Sequence, residues 1–398
     1  MKTAVVISYE IDDAAVAAKE LAAAIKVKLK FEKNAIGILL CDADLDGAAV
    51  TRALKESLGI EIAGMTTLAE LDADGHHEAA AILTVLTADD CLFTAAASES
   101  LLEGDVANEI SAAYKQTIPD TADYGDKPGM AFVFCPCNMP FTGDIYGKTL
   151  NGEIPGVPII GGAASDDYQY DQGRTFLSGI IYEASFVIVS IWGNVRPAFA
   201  IRHVTSPFAE RVRRITDAEG SLVRRVGDET FVDYLKGFGF ETDVQDVLLA
   251  FNANPMMMTC DGEEQDETPI MRHIVDLDHE TGAGYFAGDV PLGTLGNICM
   301  LRKEDLRNSC RESMNILLDE RKKQDGYDYS LVFCCSCCGR ALVLGEDAAA
   351  EGDILSEMLP AGMSLVGTYC YGEIAPTQYK DGIASNRYHN CSIALCMI

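Results

Sequence analysis

The chain has 398 residues, 48% of them hydrophobic, and a formal charge of -30. Its length and apolar content allow a core sufficient for two or three domains, while the acidic balance repels nucleic acid and anionic lipid over most of the surface. The longest apolar runs, such as residues 184–192, fall far short of the ~20 needed to cross a bilayer, so no membrane insertion is expected.

The opening apolar strand, residues 3–8, runs directly into Glu10, Asp12 and Asp13. This reads as a strand and a helix start, not an export signal. A cytoplasmic location follows as the expectation, with the fourteen cysteines mostly reduced and acting as small buried hydrophobes.

A helix-strand-helix-strand-strand unit then begins. Its first copy places helices at 13–29 and 47–58 and strands at 35–41, 60–64 and 79–86, with a polar loop carrying Asp72, Asp74, Gly75, His76 and His77 before the last strand. The second copy has helices at 100–116 and 142–150 and strands at 130–135, 157–161 and 186–192. The third has helices at 303–323 and 347–359 and strands at 330–334, 363–367 and 391–397. Between copies two and three, residues 196–297 alternate Val/Ile/Phe-rich runs with Gly, Pro and Asp turns, which predicts a β-rich insertion with one helix at 228–236. Its acidic loop 261–267 reads as a mobile surface segment. The fold class is therefore α/β, with mixed sheets built from three repeated units plus a β-rich insertion, divided as 1–195, 196–300 and 301–398.

Arg211, Arg213, Arg214, Arg224 and Arg225 flank a turn within the insertion. The plain reading is the solvated face of a hairpin, and the sharper one is a contact for an acidic partner.

A strand, a crossover helix and a second strand imply a parallel pair, and ligands of open α/β sheets bind beyond the carboxyl ends of such strands. That rule selects two loops per unit. After the first strands come Cys41-Asp42-Ala43-Asp44, Cys135-Pro136-Cys137-Asn138 and Cys335-Ser336-Cys337-Cys338-Gly339-Arg340. After the second come residues 64–70, 161–167 and 367–373. Glycine at a strand exit lets backbone amides approach a ligand, and a hydroxyl residue plus a carboxylate supplies directed polar contacts. The alternative reading gives the glycines to tight turns and the carboxylates to caps.

These residues resemble the FIST family of sensory modules. Ser336-Cys337-Cys338-Gly339-Arg340 with Leu344-Gly345 looks like that family's Ser-Cys-x-Gly-Arg and Leu-Gly signature. Gly367 through Gly372-Glu373-Ile374 resembles its Gly-x4-Gly-Glu-Ile stretch, and Asn390-Cys391-Ser392 its closing Asn-x-Thr/Ser. Residues 158–167 are similar to the Gly-Gly-Ala-rich acidic segment of its N-terminal part. The first unit departs from the pattern, since Ala69 stands where a Gly-Glu pair is expected before Glu70.

The resemblance implies a sensor that binds small molecules, amino acids being the ligands proposed, and passes occupancy to a separate output protein. The expected ligand-binding residues are Gly161, Gly162, Ala163, Ser165, Asp166, Ser336, Cys337, Arg340, Thr368, Tyr371 and Glu373, with Arg340 holding a carboxylate and Glu373 an ammonium group.

Rival readings use the same residues. Cys334-Cys335-Ser336-Cys337-Cys338 contains two Cys-x-x-Cys spacings suited to zinc, an iron-sulfur cluster or a redox pair, yet a full site needs further ligands. A thiol hydrolase needs a thiolate beside a histidine, and Cys337 with His389 is the pair to inspect. Asp166, Asp167 and Asp171 suit a hard cation or simply an acidic turn. Met256-Met257-Met258 suits a pocket lining or ordinary core, and Arg272 a ligand carboxylate or an internal acid. No phosphate-binding glycine motif is present. The expectation is a protein without catalytic residues, metal or cofactor.

Overall fold

The computed structural model describes residues 1–259, 269–324, 326–378 and 384–398. The acidic loop 261–267 lies outside them.

The first unit shows how local chemistry sets the elements. Strand β1 (Lys2–Ser8) ends before Asp13, whose side chain accepts the N–H groups of Ala15 and Val16 and so starts helix α1 (Ala14–Lys28). Ala17, Ala18, Leu21, Ala22 and Ile25 form the buried stripe of α1. Strand β2 (Asn34–Cys41) leads to α2 (Gly47–Leu58), which is capped by Asp46 and stopped by Gly59 in the left-handed region at φ 70°. Then come β3 (Glu61–Thr66), a short hairpin of β4 (Glu70–Asp72) and β5 (Gly75–His77), and β6 (Ala81–Ala88).

The second unit repeats this order with β7 (Cys91–Ala97), α3 (Val106–Gln116), β8 (Met130–Cys135), α4 (Asp144–Glu153), β9 (Ile159–Ala163), the hairpin β10 (Thr175–Leu177) and β11 (Ile180–Tyr182), and β12 (Val187–Gly193). The third opens with β13 (Ala198–His203) and is interrupted by the insertion. Among the described residues the insertion carries eight strands, β14 (Arg213–Glu219), β15 (Leu222–Val226), β16 (Glu229–Thr230), β17 (Met256–Thr259), β18 (Ile270–Arg272), β19 (Ile274–Asp278), β20 (Ala283–Phe286) and β21 (Leu295–Ile298), with short helices α5 (Phe231–Lys236) and α6 (Val247–Phe251). The unit resumes with α7 (Lys303–Lys323), β22 (Leu331–Cys337), α8 (Cys338–Leu344), α9 (Ala350–Met358), β23 (Ser364–Cys370), the hairpin β24 (Glu373–Gln378) and β25 (Ala384–His389), and β26 (Ser392–Met397).

Each unit builds a six-stranded sheet, and the three strand orders superimpose: β1-β6-β2-β3-β10-β11, β7-β12-β8-β9-β24-β25 and β13-β26-β22-β23-β4-β5. In each, the expected parallel pair lies at the centre, as β2 with β3, β8 with β9 and β22 with β23. The outer hairpin of every sheet comes from another unit. Unit one gives β4 and β5 to the third sheet, unit two gives β10 and β11 to the first, and unit three gives β24 and β25 to the second.

A glycine recurs where the parallel strands touch. Gly64, Gly161 and Gly367 pair with Leu39, Val133 and Cys334. A Cβ on Gly64 or Gly161 would sit 1.8 Å from the carbonyl oxygen of Leu39 or Val133, and one on Gly367 would sit 2.7 Å from Cys334 Cβ. These glycines admit a neighbouring strand. This corrects the expectation that Gly161 serves a ligand's approach.

The three sheets turn one face onto a common inner core containing Ile38 and Leu40, Phe132 and Phe134, and Phe333 and Cys335. Phe132 and Phe333 meet edge-on with ring centroids 5.0 Å apart. Helices cover the outer faces, α1 and α2 over the first sheet, α3 and α4 over the second, and α7 and α9 over the third.

Several expectations need correction. The polar loops of residues 72–77, the turn after residue 161 and the loop after residue 367 hold the exchanged hairpins, and β7 was not anticipated. The run read as a loop from Cys335 to Arg340 is the end of β22 and the start of α8. Residues 198–203, assigned to the insertion, form the outer strand of the third sheet.

Candidate functional site

The rule that strand ends gather loops leads to a cleft of about 740 Å³. Unit one lines it with Asp42, Ala43 and Asp44 after β2, with Thr67, Leu68 and Ala69 after β3, and with His76 of its exchanged hairpin and Glu78 and Ala79 just after it. Unit two adds Asp166, Asp167, Tyr168, Gln169 and Gln172 after β9. Unit three adds Ala341, Leu342, Gly345 and Ala348 around α8, and Tyr369 of β23. All three units thus contribute to one hollow.

Its polar chemistry is acidic. Asp42, Asp44, Glu78, Asp166 and Asp167 line it, and among the described residues no Lys or Arg does. Burial raises the Asp42 carboxyl above its ordinary range, and the charges of Asp44 and Asp167 add to that, against the Asp44 N–H that the carboxylate accepts at 2.8 Å. His76 is partly buried, and this desolvation holds its imidazole below the usual value. Its ring meets Tyr369 edge-on at 5.9 Å. The floor is fixed by Thr67, whose N–H reaches Cys41 O at 2.8 Å and whose hydroxyl donates to the buried Glu70 carboxyl at 2.5 Å.

Of the residues expected from sequence to bind a ligand, Asp166 lines this cleft. Gly161, Gly162 and Ala163 are buried in β9, where a Cβ on Gly162 would strike Cys370 Sγ at 2.6 Å. Ser165 is buried and splices the units together, donating to Tyr369 O at 2.8 Å and accepting from Leu68 N–H at 2.9 Å. Thr368 donates to Ala69 O at 3.1 Å. Tyr371 stacks on Tyr170 at 4.2 Å and donates its hydroxyl to Asp166.

Arg340 and Glu373 are enclosed. Arg340 bonds Glu351, Ser309 and the Leu306 carbonyl, and the same Glu351 accepts from Ser336 Oγ at 2.6 Å. Glu373 accepts from Ser392 Oγ at 2.6 Å. Neither side chain faces the cleft, so the expected pairing of Arg340 with a ligand carboxylate and Glu373 with an ammonium group is replaced by internal partners.

The histidine beside Cys337 is His273 of the insertion, at 3.7 Å, and not His389, whose Nε2 lies 3.3 Å from Ala375 O. His273 Nε2 also lies 3.1 Å from Cys391 Sγ. Burial pushes this imidazole down to about 4 and the Cys337 and Cys391 thiols well up, so the trio is neutral at pH 7 and holds no thiolate. All thirteen described cysteines are free and buried. Among the described residues no group of three or more His, Cys, Asp or Glu is placed to hold a metal ion.

Asp166 is engaged by backbone N–H groups and Tyr371. Met256 and Met258 lie in the insertion's core. Arg272 pairs with Asp144 at 2.7 Å, the internal partner. Arg224 of the basic hairpin pairs with Asp217 and Glu219, and Arg211 with Glu229.

Ala69 departs from the family pattern before Glu70, and Glu70 is buried and accepts from Thr67 instead of lining the cleft, while both strand-end loops of unit one form its walls. Of the histidines placed in the polar loop, His76 faces the cleft and His77 bridges Asp72 and Tyr9, each at 2.8 Å.

A description of the FIST N domain matches residues 35–229, and one of the FIST C domain matches residues 229–376. The chain belongs to the FIST family. FIST domains are associated with the sensing of small ligands in signal transduction. The N and C segments meet inside the insertion of this FIST chain, while the hairpin exchange ties strands of each to sheets of the other. A search of curated proteins gives no match. Among solved structures, a cyanuric acid hydrolase, described as an innovation by structural concatenation, shares 9% identity over 99% of this chain and 98% of its own, with a TM-score of 0.37. Likeness at that level carries no argument about activity.

Proposed function

We propose that this FIST chain is a reversible small-molecule sensor whose ligand seats in the three-unit cleft and presents an amino group to its carboxylates. The observation that carries this reading is the lining, in which Asp42, Asp44, Glu78 and Asp167 face a hollow to which the described residues bring no Lys or Arg, while the Asp166 carboxylate is engaged by its own loop and Tyr371. A cation entering there offsets the repulsion among Asp42, Asp44 and Asp167. Leu68, Leu342, Tyr168 and Tyr369 give an apolar remainder something to pack on. Amino-acid-like compounds meet this description through their ammonium end, and amines without a carboxylate meet it better.

Recognition is favoured over turnover because the thiols that suggested a hydrolase are enclosed and protonated. The site is read as cytoplasmic, where these thiols stay reduced. Occupancy passes to a separate output protein.

The test is a thermal-shift panel of amines, amino acids and dicarboxylates. A ligand at a hundred times its dissociation constant adds ~2.7 kcal/mol of stability. Amines should raise the midpoint most and dicarboxylates not at all. Equal silence from all three classes, or stabilisation by dicarboxylates alone, overturns the reading.

A further inference from the structure

We infer that Asp166 is a positioning residue that latches the unit-two wall of the cleft and so sets its ligand selectivity. The inference rests on the cleft being the ligand site. Residues 166–173 connect β9 to the exchanged hairpin without secondary structure of their own, yet they present Tyr168, Gln169 and Gln172 to the hollow.

One carboxylate organises the segment. Asp166 Oδ1 accepts the N–H groups of Gln169 and Tyr170, both at 3.0 Å, while Oδ2 accepts those of Asp171 at 3.0 Å and Gln172 at 2.8 Å. The Tyr371 hydroxyl donates to Oδ1 as a fifth partner. This draws a charge into a nest of donors, and charge-assisted bonds are the strong ones. They outweigh the burial of the carboxyl, which is held below its ordinary value.

The wrap demands an uncommon backbone. Tyr168 and Tyr170 adopt φ of 57° and 60°, a left-handed conformation that aromatic residues avoid. Relaxation of either would swing its ring. Tyr168 is held against unit three by its hydroxyl, 3.3 Å from Cys338 O, and Tyr170 by its stack on Tyr371. The latch therefore converts contacts with Tyr371, a residue of unit three outside the cleft, into the position of three side chains inside it.

The experiment compares wild type with Asp166→Asn and Tyr371→Phe in the full chain, using amide hydrogen exchange at residues 169–172 and calorimetric titration with spermidine and putrescine. Both variants should speed exchange at those four amides while leaving the amides of β8 and β12 protected. Both should also change the spermidine-to-putrescine affinity ratio by roughly tenfold. A merely structural role would lower both affinities together or neither. Unchanged exchange at 169–172 in both variants overturns the latch, and so does an unchanged ratio in variants whose exchange has risen. If wild type binds neither amine, the cleft reading fails, and with it the claim on selectivity, while exchange still decides whether Asp166 holds the loop.

Discussion

Arg340 Nη2 lies 2.5 Å from Glu351 Oε1, with both side chains wholly buried. Arg340 on α8 also bonds the Leu306 carbonyl and Ser309 on α7, and Glu351 on α9 reaches back to Ser336 on β22. The pair thereby bolts three helices to the central strand of the third sheet. Removing one partner strands the other charge in the interior, which costs about 3–5 kcal/mol. Arg340→Met and Glu351→Gln should each lose that much in urea denaturation, and the double replacement Arg340→Met with Glu351→Leu should lose far less. Single variants within about 1 kcal/mol of wild type would show that the pair is dispensable.

Glu373 makes stability fall with rising pH. Burial raises its carboxyl to about 8, against the hydrogen bonds of Ser392 and the charge of Arg340, which pull it down from a still higher value. An acid whose folded pKa exceeds its unfolded value of 4.5 is bound more tightly as the protonated form in the folded state. Its contribution is complete below about 4.5, declines as pH rises and is gone above about 8. Between pH 5 and 9 wild type should lose several kcal/mol, as an order of magnitude, relative to Glu373→Gln. Parallel pH-stability curves for the two proteins would remove Glu373 as the cause.

The two enclosed groups also show why the repeat was legible in the sequence and the site was not. Apolar periodicity and turn residues are local, so the parallel pairs and most helices could be read directly. The 60–64 run continues into the real β3, and the 100–116 helix begins only at Val106, where Asp105 caps it. The exchanged hairpins were hidden because three-residue strands such as β4, β10 and β11 carry too little pattern, and because their partners lie in other units. Arg340 and Glu373 were chosen for their chemistry and strand-end position, and both proved to be balanced inside the core. What selects wall over core is which loop of another unit packs nearby, a long-range fact. Asp42 and Asp44 were in a loop picked out by the strand-end rule and were passed over.

The exchange predicts that the FIST N and C segments do not fold apart. Residues 1–229 alone would lack the β24-β25 hairpin of the second sheet, leaving β9 as an open edge. Residues 229–398 would lack β13 and the β4-β5 hairpin of the third. Each fragment also exposes its share of the inner core. Expressed singly, both should be insoluble or show dispersed, low-cooperativity unfolding, and co-expression should recover a complex with one cooperative transition. Two fragments that each unfold sharply on their own would contradict the interdependence of the sheets.

Asp42 should trade stability for binding. Its carboxyl is raised by burial and then by the charges of Asp44 and Asp167. A raised acid contributes most below its unfolded value of 3.8 and becomes a liability as pH climbs through the folded one, so at neutral pH the ionised Asp42 destabilises the empty cleft. The site is half exposed and solvent screens it, so the effect is small. Asp42→Asn keeps an acceptor for the Asp44 N–H and removes the charge. The empty variant should melt about a degree or two higher than wild type. The same variant should bind spermidine more weakly, and wild-type affinity should fall as salt is raised from 50 to 500 mM on the order of what screening of several charges implies. A variant that melts higher and binds unchanged would separate Asp42 from the ligand. One that melts lower would mean that its charge is satisfied by partners within the protein, and the cleft's demand for a cation would lose its physical basis.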